Sequence, residues 1–178
     1  MITVLTGDIG SGKTTLLSDV CLRNPGSGPG RRAARPRPMA GFLSRRVMNG
    51  PRPEGYDLVD LKDGAVRPFL RRQGKPDGEG VGEYNVVPAG LRYADAAIRR
   101  SLPSELLVVD EVGPLELDGR GFWPSLSAVL LDRNRNVLVV IRTGLVDRFM
   151  ALFKGHEVKV VRLDKKARAT MEREVAGP

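Results

Sequence analysis

Short runs of apolar and β-branched residues alternate along this chain with stretches whose apolar residues recur every three or four positions. The first kind of run is typical of buried strands, and the second of helices that turn one face to a core. Their alternation predicts an α/β fold with a mainly parallel central sheet flanked by helices. The predicted strands are 2–5, 39–43, 56–61, 66–70, 84–87, 105–109, 137–141 and 158–161, and the predicted helices are 14–22, 88 to about 102, 122–132, 146–153 and 164–175.

The strands predicted between residues 39 and 87 follow one another too closely for crossover helices. They are separated by Gly- and Pro-bearing turns at 49–55 and 74–82, which favours an added β-hairpin region. Residues 24–38 are rich in Gly, Pro and Arg and can hold neither a helix nor a sheet ladder, so we expect a mobile basic loop there. Without repeats or a second boundary, residues 1–178 are predicted to form a single domain.

The charge of the chain narrows the class of its partners. Its 178 residues include 29 Lys and Arg against 21 Asp and Glu, a net charge of +8, which favours phosphates or another anionic partner. Arginine supplies 22 of the 29 cations, mostly in pairs on separate segments, as is typical of a solvated surface. The basic loop 24–38 holds no aromatic residue for stacking on bases, so nucleic acid stays open as a partner but is not favoured.

Membrane proteins and thiolate metal sites are disfavoured by the same composition. The longest apolar runs count only four or five residues, against the roughly 18 that a membrane-spanning helix needs, and no secretory signal is visible. We therefore expect a cytoplasmic protein with no membrane partner. Cys21 is the one cysteine and lies on the apolar face of a predicted helix, as a core residue does. With His156 the one histidine, any metal must be held by oxygen atoms.

Residues 7–14, Gly-Asp-Ile-Gly-Ser-Gly-Lys-Thr, match the phosphate-loop pattern G-x-x-x-x-G-K-[ST], or Walker A motif, between a strand and a helix. The glycines let the backbone N–H groups point inward, so that the loop and the helix N-terminus form a nest for phosphates. We expect Lys13 to reach the β- and γ-phosphates and the Thr14 hydroxyl to ligate Mg²⁺. The predicted nucleotide-binding residues are Gly7, Asp8, Ile9, Gly10, Ser11, Gly12, Lys13, Thr14 and Thr15.

A second acidic site is predicted where the apolar run 106–109 ends at Asp110 and Glu111, as in a Walker B motif. Ligands of parallel sheets bind at the carboxyl ends of the strands, so Asp110 would hold the magnesium ion through water. Glu111 is placed to orient or deprotonate the water that attacks the γ-phosphate. The adjacent carboxylates favour the RecA-like branch of NTPases, with its strand-borne glutamate base, over switch-type GTPases.

Residues 108–117, Val-Val-Asp-Glu-Val-Gly-Pro-Leu-Glu-Leu, resemble the D-E-[IV]-G-x-[ML]-E-L signature of a small RecA-like P-loop nucleoside-triphosphatase family, that of the human cancer-related nucleoside-triphosphatase. Segments 41–42, 55–59 and 81–84, which precede this signature, also occur in the order that the family shows. The resemblance therefore spans roughly residues 1–165. It implies a monomer-sized RecA-like α/β fold that needs Mg²⁺ and hydrolyses nucleoside triphosphates with broad base preference. We accordingly expect a monomer.

The sequence departs from the family pattern beside the expected site. Segment 43–47, Leu-Ser-Arg-Arg-Val, lacks the glutamate of many members, while Arg45 or Arg46 preserves the basic residue for a supporting role. Family members often have a threonine-containing turn after the strand that corresponds to 137–141, and here that segment reads Arg142-Thr143-Gly144. Arg142 is expected at the catalytic edge of the sheet, where it is our candidate sensor of γ-phosphate charge. A surface arginine is the alternative. Glu116 matches the second glutamate of the signature and is predicted to support the active-site water or Lys13, with an exposed carboxylate at a helix start as the alternative.

These residues together predict Mg²⁺-dependent hydrolysis of nucleoside triphosphates to diphosphates and phosphate, with Lys13, Glu111 and Arg142 as the catalytic residues. Two alternatives stay open. A nucleoside or nucleotide kinase would use the same loop with an acceptor in place of water, and would need an acceptor pocket and an arginine-bearing lid, which residues 24–38 could supply. An NTP-dependent switch would bind RNA or protein instead, but such a switch has little need of a base at position 111.

Overall fold

The computed structural model of the protein describes residues 1–22, 37–72, 80–164 and 167–176. Most of the basic loop predicted at 24–38 therefore lies outside the described residues. In chain order the elements are β1 (Ile2–Gly7), α1 (Lys13–Leu22), β2 (Met39–Asn49), β3 (Arg52–Asp60), β4 (Val66–Arg71), β5 (Gly80–Val81), β6 (Tyr84–Val86), α2 (Pro88–Arg99), β7 (Leu106–Val112), α3 (Pro114–Leu117), α4 (Trp123–Leu131), β8 (Asn136–Arg142), a 3₁₀ turn (Thr143–Leu145), α5 (Val146–Leu152), β9 (Val158–Arg162) and α6 (Ala167–Ala176).

All the described strands join one sheet in the order β5-β6-β4-β3-β2-β7-β8-β1-β9. The strands from β2 to β9 in this order pair in parallel, and those from β5 to β2 pair antiparallel. This arrangement confirms the predicted α/β fold and its hairpin addition. We call residues 45–72 and 80–86 the antiparallel extension.

The core lies on both faces of the parallel strands. Helices α2, α4 and α5 cover one face, packing through side chains such as Ile98, Leu126 and Phe149. On the other face α1 and α6 pack through Leu17 and Met171. Because β7 and β8 are covered on both sides, they contain the continuous apolar runs 106–109 and 137–141, as expected of parallel strands. The equally buried β1 also holds Thr3 and Thr6.

Strand β2 belongs to both halves of the sheet. Its residues Met39–Phe42 pair with β7, and Phe42–Asn49 pair with β3. Gly41 lies at the junction with φ of 97°, and a Cβ added there would lie 1.9 Å from the carbonyl oxygen of Val108. Gly55 in β3 comes as close to its neighbouring strand, since its Cβ would lie 2.1 Å from the Leu70 oxygen. Close approach of backbones therefore explains both glycines.

Several predicted boundaries differ from the observed ones. Strand β7 does not stop at Asp110 but continues to Val112, because pairing with β8 resumes at Val112 and Ile141 after an irregularity. Helix α2 ends at Arg99, so Leu102 lies beyond it and is 55% exposed. The helical spacing of Leu102 in the sequence therefore did not reflect a position in the helix. The turn predicted at 49–55 is a tighter hairpin, since β3 begins at Arg52.

Cys21 packs against the core cluster formed by α1 and α6, as predicted. Burial is the largest cause that raises the pKa of its thiol to about 12, with the nearby Asp110 carboxylate adding to the effect. The thiol therefore stays protonated at neutral pH and is a poor nucleophile.

None of the helices in the described part of the chain is long and apolar enough to cross a membrane.

Candidate nucleotide-binding site

The phosphate loop lies at the carboxyl edge of the sheet. It connects β1 to α1, and the neighbouring strands β8 and β7 end beside it, with Gly7 opposite Arg142 and Ile141 opposite Val112. This register brings the loop, Glu111 and Arg142 to the same edge, where ligands of parallel sheets bind.

Glycines shape the loop in the way that its sequence predicted. Gly10 and Gly12 have φ values of 77° and 94°, a region that favours glycine. The Ser11 N–H donates to the Asp8 oxygen at 3.2 Å, and a Cβ on Gly7 would lie 2.8 Å from Ser11 Oγ. A side chain at any of the three glycine positions would therefore strain or crowd the loop.

Lys13 is buried beneath the loop. Its Nζ donates to the carbonyl oxygens of Gly7 at 2.7 Å and Asp8 at 2.8 Å, and lies 3.5 Å from Ser11 Oγ. The ammonium group of Lys13 is thus held against the loop that the sequence predicts to bind phosphates.

One carboxylate oxygen of Asp110 accepts hydrogen bonds from both α1 and β2. The Thr14 hydroxyl donates to Asp110 Oδ2 at 2.7 Å, and the Ser44 backbone N–H donates to the same oxygen at 3.2 Å. Burial is the main cause that raises the pKa of this carboxyl to about 7, against the lowering effect of the Thr14 hydrogen bond. The buried carboxylate would be stabilised by a cation beside it.

The donor set around Asp110 fits a magnesium ion. Oxygen atoms are the ligands that this ion prefers, and it usually takes only one or two from protein carboxylates, with phosphate and water oxygens completing the shell. Within the described residues no group of three or more His, Cys, Asp or Glu could hold a metal ion by itself. The prediction that Thr14 and Asp110 hold the ion therefore requires phosphate and water oxygens to complete its shell.

Glu111 and Arg142 are in direct contact. Arg142 donates from Nε at 2.8 Å and from Nη2 at 2.5 Å, both to Glu111 Oε1. Both side chains line the same groove as Lys13 and Thr14. The structure thus brings together the two residues that the sequence assigned to the base and to the sensor.

The groove has a volume of about 490 Å³ and runs from the phosphate loop to the hairpin of β2 and β3. Arg45 and Arg46, both proposed for supporting roles, line its hairpin side together with Tyr56. On the side of α1, Thr15 and Ser18 complete the wall. The antiparallel extension is therefore part of the site and not a separate appendage.

Glu116 lies beside the groove, in a smaller cavity that Glu111 and Arg142 also line. It is buried, and its Oε2 accepts the Gly113 N–H at 3.0 Å, which caps the start of α3. A Cβ on Gly121 would lie 2.6 Å from Glu116 Oε1, so the buried carboxylate also requires glycine there. Glu116 fixes the turn that follows Glu111.

Sequence reasoning overlooked two contributors to the site. Asp57 forms ion pairs with Arg45 of the groove wall and with Arg71 of β4. The Ser44 N–H that binds Asp110 was overlooked as well. The pairing of Arg45 with Asp57 could have been found from a correct hairpin register, whereas a backbone donor leaves no trace in the residue types.

The sequence profile of the NTPase family matches residues 2–176. The chain belongs to the NTPase family. It is 30% identical over 153 residues to nucleoside-triphosphatase THEP1 of Pyrococcus abyssi, covering 83% of this chain and 78% of that protein. It is 31% identical over 156 residues to nucleoside-triphosphatase THEP1 of Thermococcus kodakarensis, covering 85% and 82%.

A solved member of similar shape is a human cancer-related nucleoside triphosphatase, whose solution structure matches with a TM-score of 0.68 at 26% identity. The match covers 95% of this chain and 92% of that chain. NTPase family membership therefore extends over the parallel strands and the antiparallel extension alike, and it confirms the resemblance found in the sequence.

Proposed function

We propose that this NTPase hydrolyses nucleoside 5'-triphosphates to diphosphates and phosphate, with Mg²⁺ and with broad base specificity. The observation that carries the proposal is the 2.7 Å contact between the Thr14 hydroxyl and Asp110, one residue before Glu111, in a groove that Lys13 also lines. The relatives' name, nucleoside-triphosphatase, supports the same reaction.

Thr14 and Asp110 would hold the magnesium ion. When bound, the ion supplies positive charge to the β- and γ-phosphate oxygens. Lys13 and the loop N–H groups bind the same phosphates and hold the γ-phosphorus in line for attack.

Glu111 orients a water molecule and accepts its proton as the water oxygen bonds to the γ-phosphorus. The bond between that phosphorus and the oxygen bridging to the β-phosphate breaks, and its electron pair leaves with the diphosphate. Arg142 contacts Glu111 and lines the same groove as Lys13, and its guanidinium would stabilise the charge on the transferring group.

Broad base specificity is supported by the chemistry of the groove. The described residues that line it include the glycines, Lys13 and Thr14 of the phosphate loop and helix start, which are suited to phosphates and not to one base. Recognition by loop N–H groups and Lys13 addresses phosphates, which all nucleoside triphosphates share.

Phosphate release from ATP, GTP, CTP and UTP tests the proposal, with Mg²⁺ and with excess chelator. We expect turnover of several triphosphates that chelator abolishes. Glu111→Gln is expected to keep nucleotide binding and to lower kcat by roughly 10²- to 10⁴-fold, since it removes the base. A Glu111→Gln protein with the normal rate would refute the role of Glu111.

Two further arms separate the alternatives. Adding nucleosides tests for a phosphorylated acceptor, and adding single-stranded RNA tests for stimulated turnover. Phosphate transfer to a nucleoside without release to water would replace hydrolysis by a kinase reaction. Tight nucleotide binding with negligible release would support the switch.

A further inference from the structure

We propose that Asp57 and Arg71 form a positioning pair that holds Arg45 over the nucleotide groove, where Arg45 binds the phosphates of the triphosphate. The inference rests on the proposed function, because it names an additional contact for the same substrate. It also gives the antiparallel extension a part in substrate binding.

Arg71 is the fixed end of this arrangement. Its Nη1 donates to the carbonyl oxygens of Tyr56 at 3.0 Å and Leu70 at 2.8 Å, while Nη2 donates to Asp57 Oδ1 at 2.5 Å. The side chain is only 22% exposed. Three acceptors on two strands leave this guanidinium little freedom to move.

Asp57 connects the fixed Arg71 side chain to Arg45 in the groove wall. It lies opposite Arg45 in the register of β2 and β3, and its side chain is 13% exposed. With one oxygen bound by Arg71, the other lies 3.6 Å from Arg45 Nη2. That distance exceeds a normal hydrogen bond, so the carboxylate attracts Arg45 electrostatically without binding its donors tightly.

Asp57 therefore restricts the Arg45 side chain electrostatically, but the guanidinium of Arg45 stays free to bind a ligand in the groove. Its side chain is 59% exposed and lines the same groove as Lys13 and Thr14. A guanidinium presents several N–H donors in a planar fork that suits phosphate oxygens. Restricting a long side chain before binding lowers the entropy that binding must overcome. Asp57 thus strengthens phosphate binding through Arg45 although it carries negative charge itself.

A purely structural role for Asp57 is the competing explanation, since it also ties β3 to β4. The two roles differ in what happens when Arg45 is absent. A positioning role disappears with Arg45, whereas a structural role persists and also lowers the thermal midpoint.

The test is a double-mutant cycle on the full chain with Asp57→Asn and Arg45→Ala, measuring ATP affinity, KM and kcat. Asn keeps the size of Asp and an oxygen acceptor for Arg71 but loses the charge. We expect Arg45→Ala and Asp57→Asn each to raise Kd and KM by roughly three- to tenfold with kcat nearly unchanged, the scale of one charged contact. In the Arg45→Ala background, Asp57→Asn should add less than about twofold. Asp57→Glu, which restores the charge, should recover part of the affinity.

Glu83→Gln is the matched control, because Glu83 also pairs with an arginine of the extension, Arg72, but does not line the groove. It should leave Kd and KM unchanged. Unchanged ATP affinity in Asp57→Asn overturns the proposal, as does an equal loss with and without Arg45. If the wild type neither binds nor hydrolyses any triphosphate, the proposed function itself fails, which is a separate result.

Discussion

The two halves of the sheet use ionised side chains differently. In the parallel half, Asp110 and Lys13 are buried, while the more exposed Glu111 pairs with Arg142. Asp110 accepts from the Thr14 hydroxyl and the Ser44 N–H, and Lys13 donates to carbonyl oxygens of the loop. In the antiparallel extension, buried or half-buried carboxylates face arginines, as Asp57 faces Arg71 and Asp60 faces Arg100. Burying a charged group is costly unless a partner or a ligand stabilises it, so Asp110 and Lys13 are the groups that a bound ligand would stabilise most.

In the antiparallel extension, ion pairs between strands contribute to the stability of the sheet. Its strands are short and partly exposed, so cross-strand ion pairs contribute to holding their register. Most such pairs stabilise the fold slightly, and one that reaches a ligand can also position it. The two halves can be tested separately by substitutions in each.

The largest effect is expected from Lys13→Ala in the parallel half. Loss of the ammonium removes charge from the β- and γ-phosphates, so kcat/KM for ATP should fall by at least about a thousandfold. Phosphate release and nucleotide binding measure it. Lys62→Ala is the control, since Lys62 pairs with Glu105 away from the groove. Normal activity in Lys13→Ala would remove the phosphate loop from the mechanism.

Gly41→Ala is expected to destabilise the junction between the parallel half of the sheet and the antiparallel extension. The new Cβ would lie 1.9 Å from the Val108 oxygen at a φ of 97°, so the free energy of unfolding should fall by roughly 2–5 kcal/mol. Denaturant unfolding measures this. Gly144→Ala is the comparison, because a Cβ there meets nothing within 4 Å. Equal stability of the two variants would contradict the close approach of β2 and β7.

Arg142→Ala removes the partner of Glu111. It should lower kcat by roughly ten- to hundredfold, the scale of one charge-assisted contact in the transition state, with a smaller change in KM. Steady-state kinetics measure both constants. Arg148→Ala, which breaks an exposed pair with Asp118, serves as the control. A change in KM alone would assign Arg142 to ground-state binding instead.

The smallest effect is expected from Glu83→Gln in the extension. This carboxylate is exposed and pairs with Arg72, and such surface pairs contribute little. Activity should change by less than about twofold, in the same phosphate-release assay. A loss as large as that of Asp57→Asn would show that ion pairs throughout the extension affect the site alike.

The parallel half could be predicted closely because its signals are local. The phosphate loop sits between a strand and a helix, and Asp110 follows an apolar run, so position along the chain already implied position at the sheet edge. The contact between Glu111 and Arg142 was not predicted, because it depends on β7 and β8 being neighbours in the sheet.

The contacts of the antiparallel extension were harder to predict from the sequence, because they depend on the register of its strands. The turn predicted at 49–55 is shorter in the structure, and a shift of one residue in a strand moves every side chain to the other face. The strand predicted at 39–43 also stops before Arg45, whereas β2 continues to Asn49, so the opposition of Arg45 and Asp57 was not predicted. Glu116 was singled out, but its burial and its bond to the Gly113 N–H depend on the turn that follows β7.

The bond from the Ser44 N–H to Asp110 has a consequence for how such a site changes over evolutionary time. The donor belongs to the main chain, so nearly any amino acid at position 44 supplies it and only proline, which lacks the N–H, removes it. A position next to the predicted magnesium carboxylate can thus drift in identity while its contribution persists. Comparison of residue types would rank it as unconstrained, although replacing it by proline would disturb Asp110 directly.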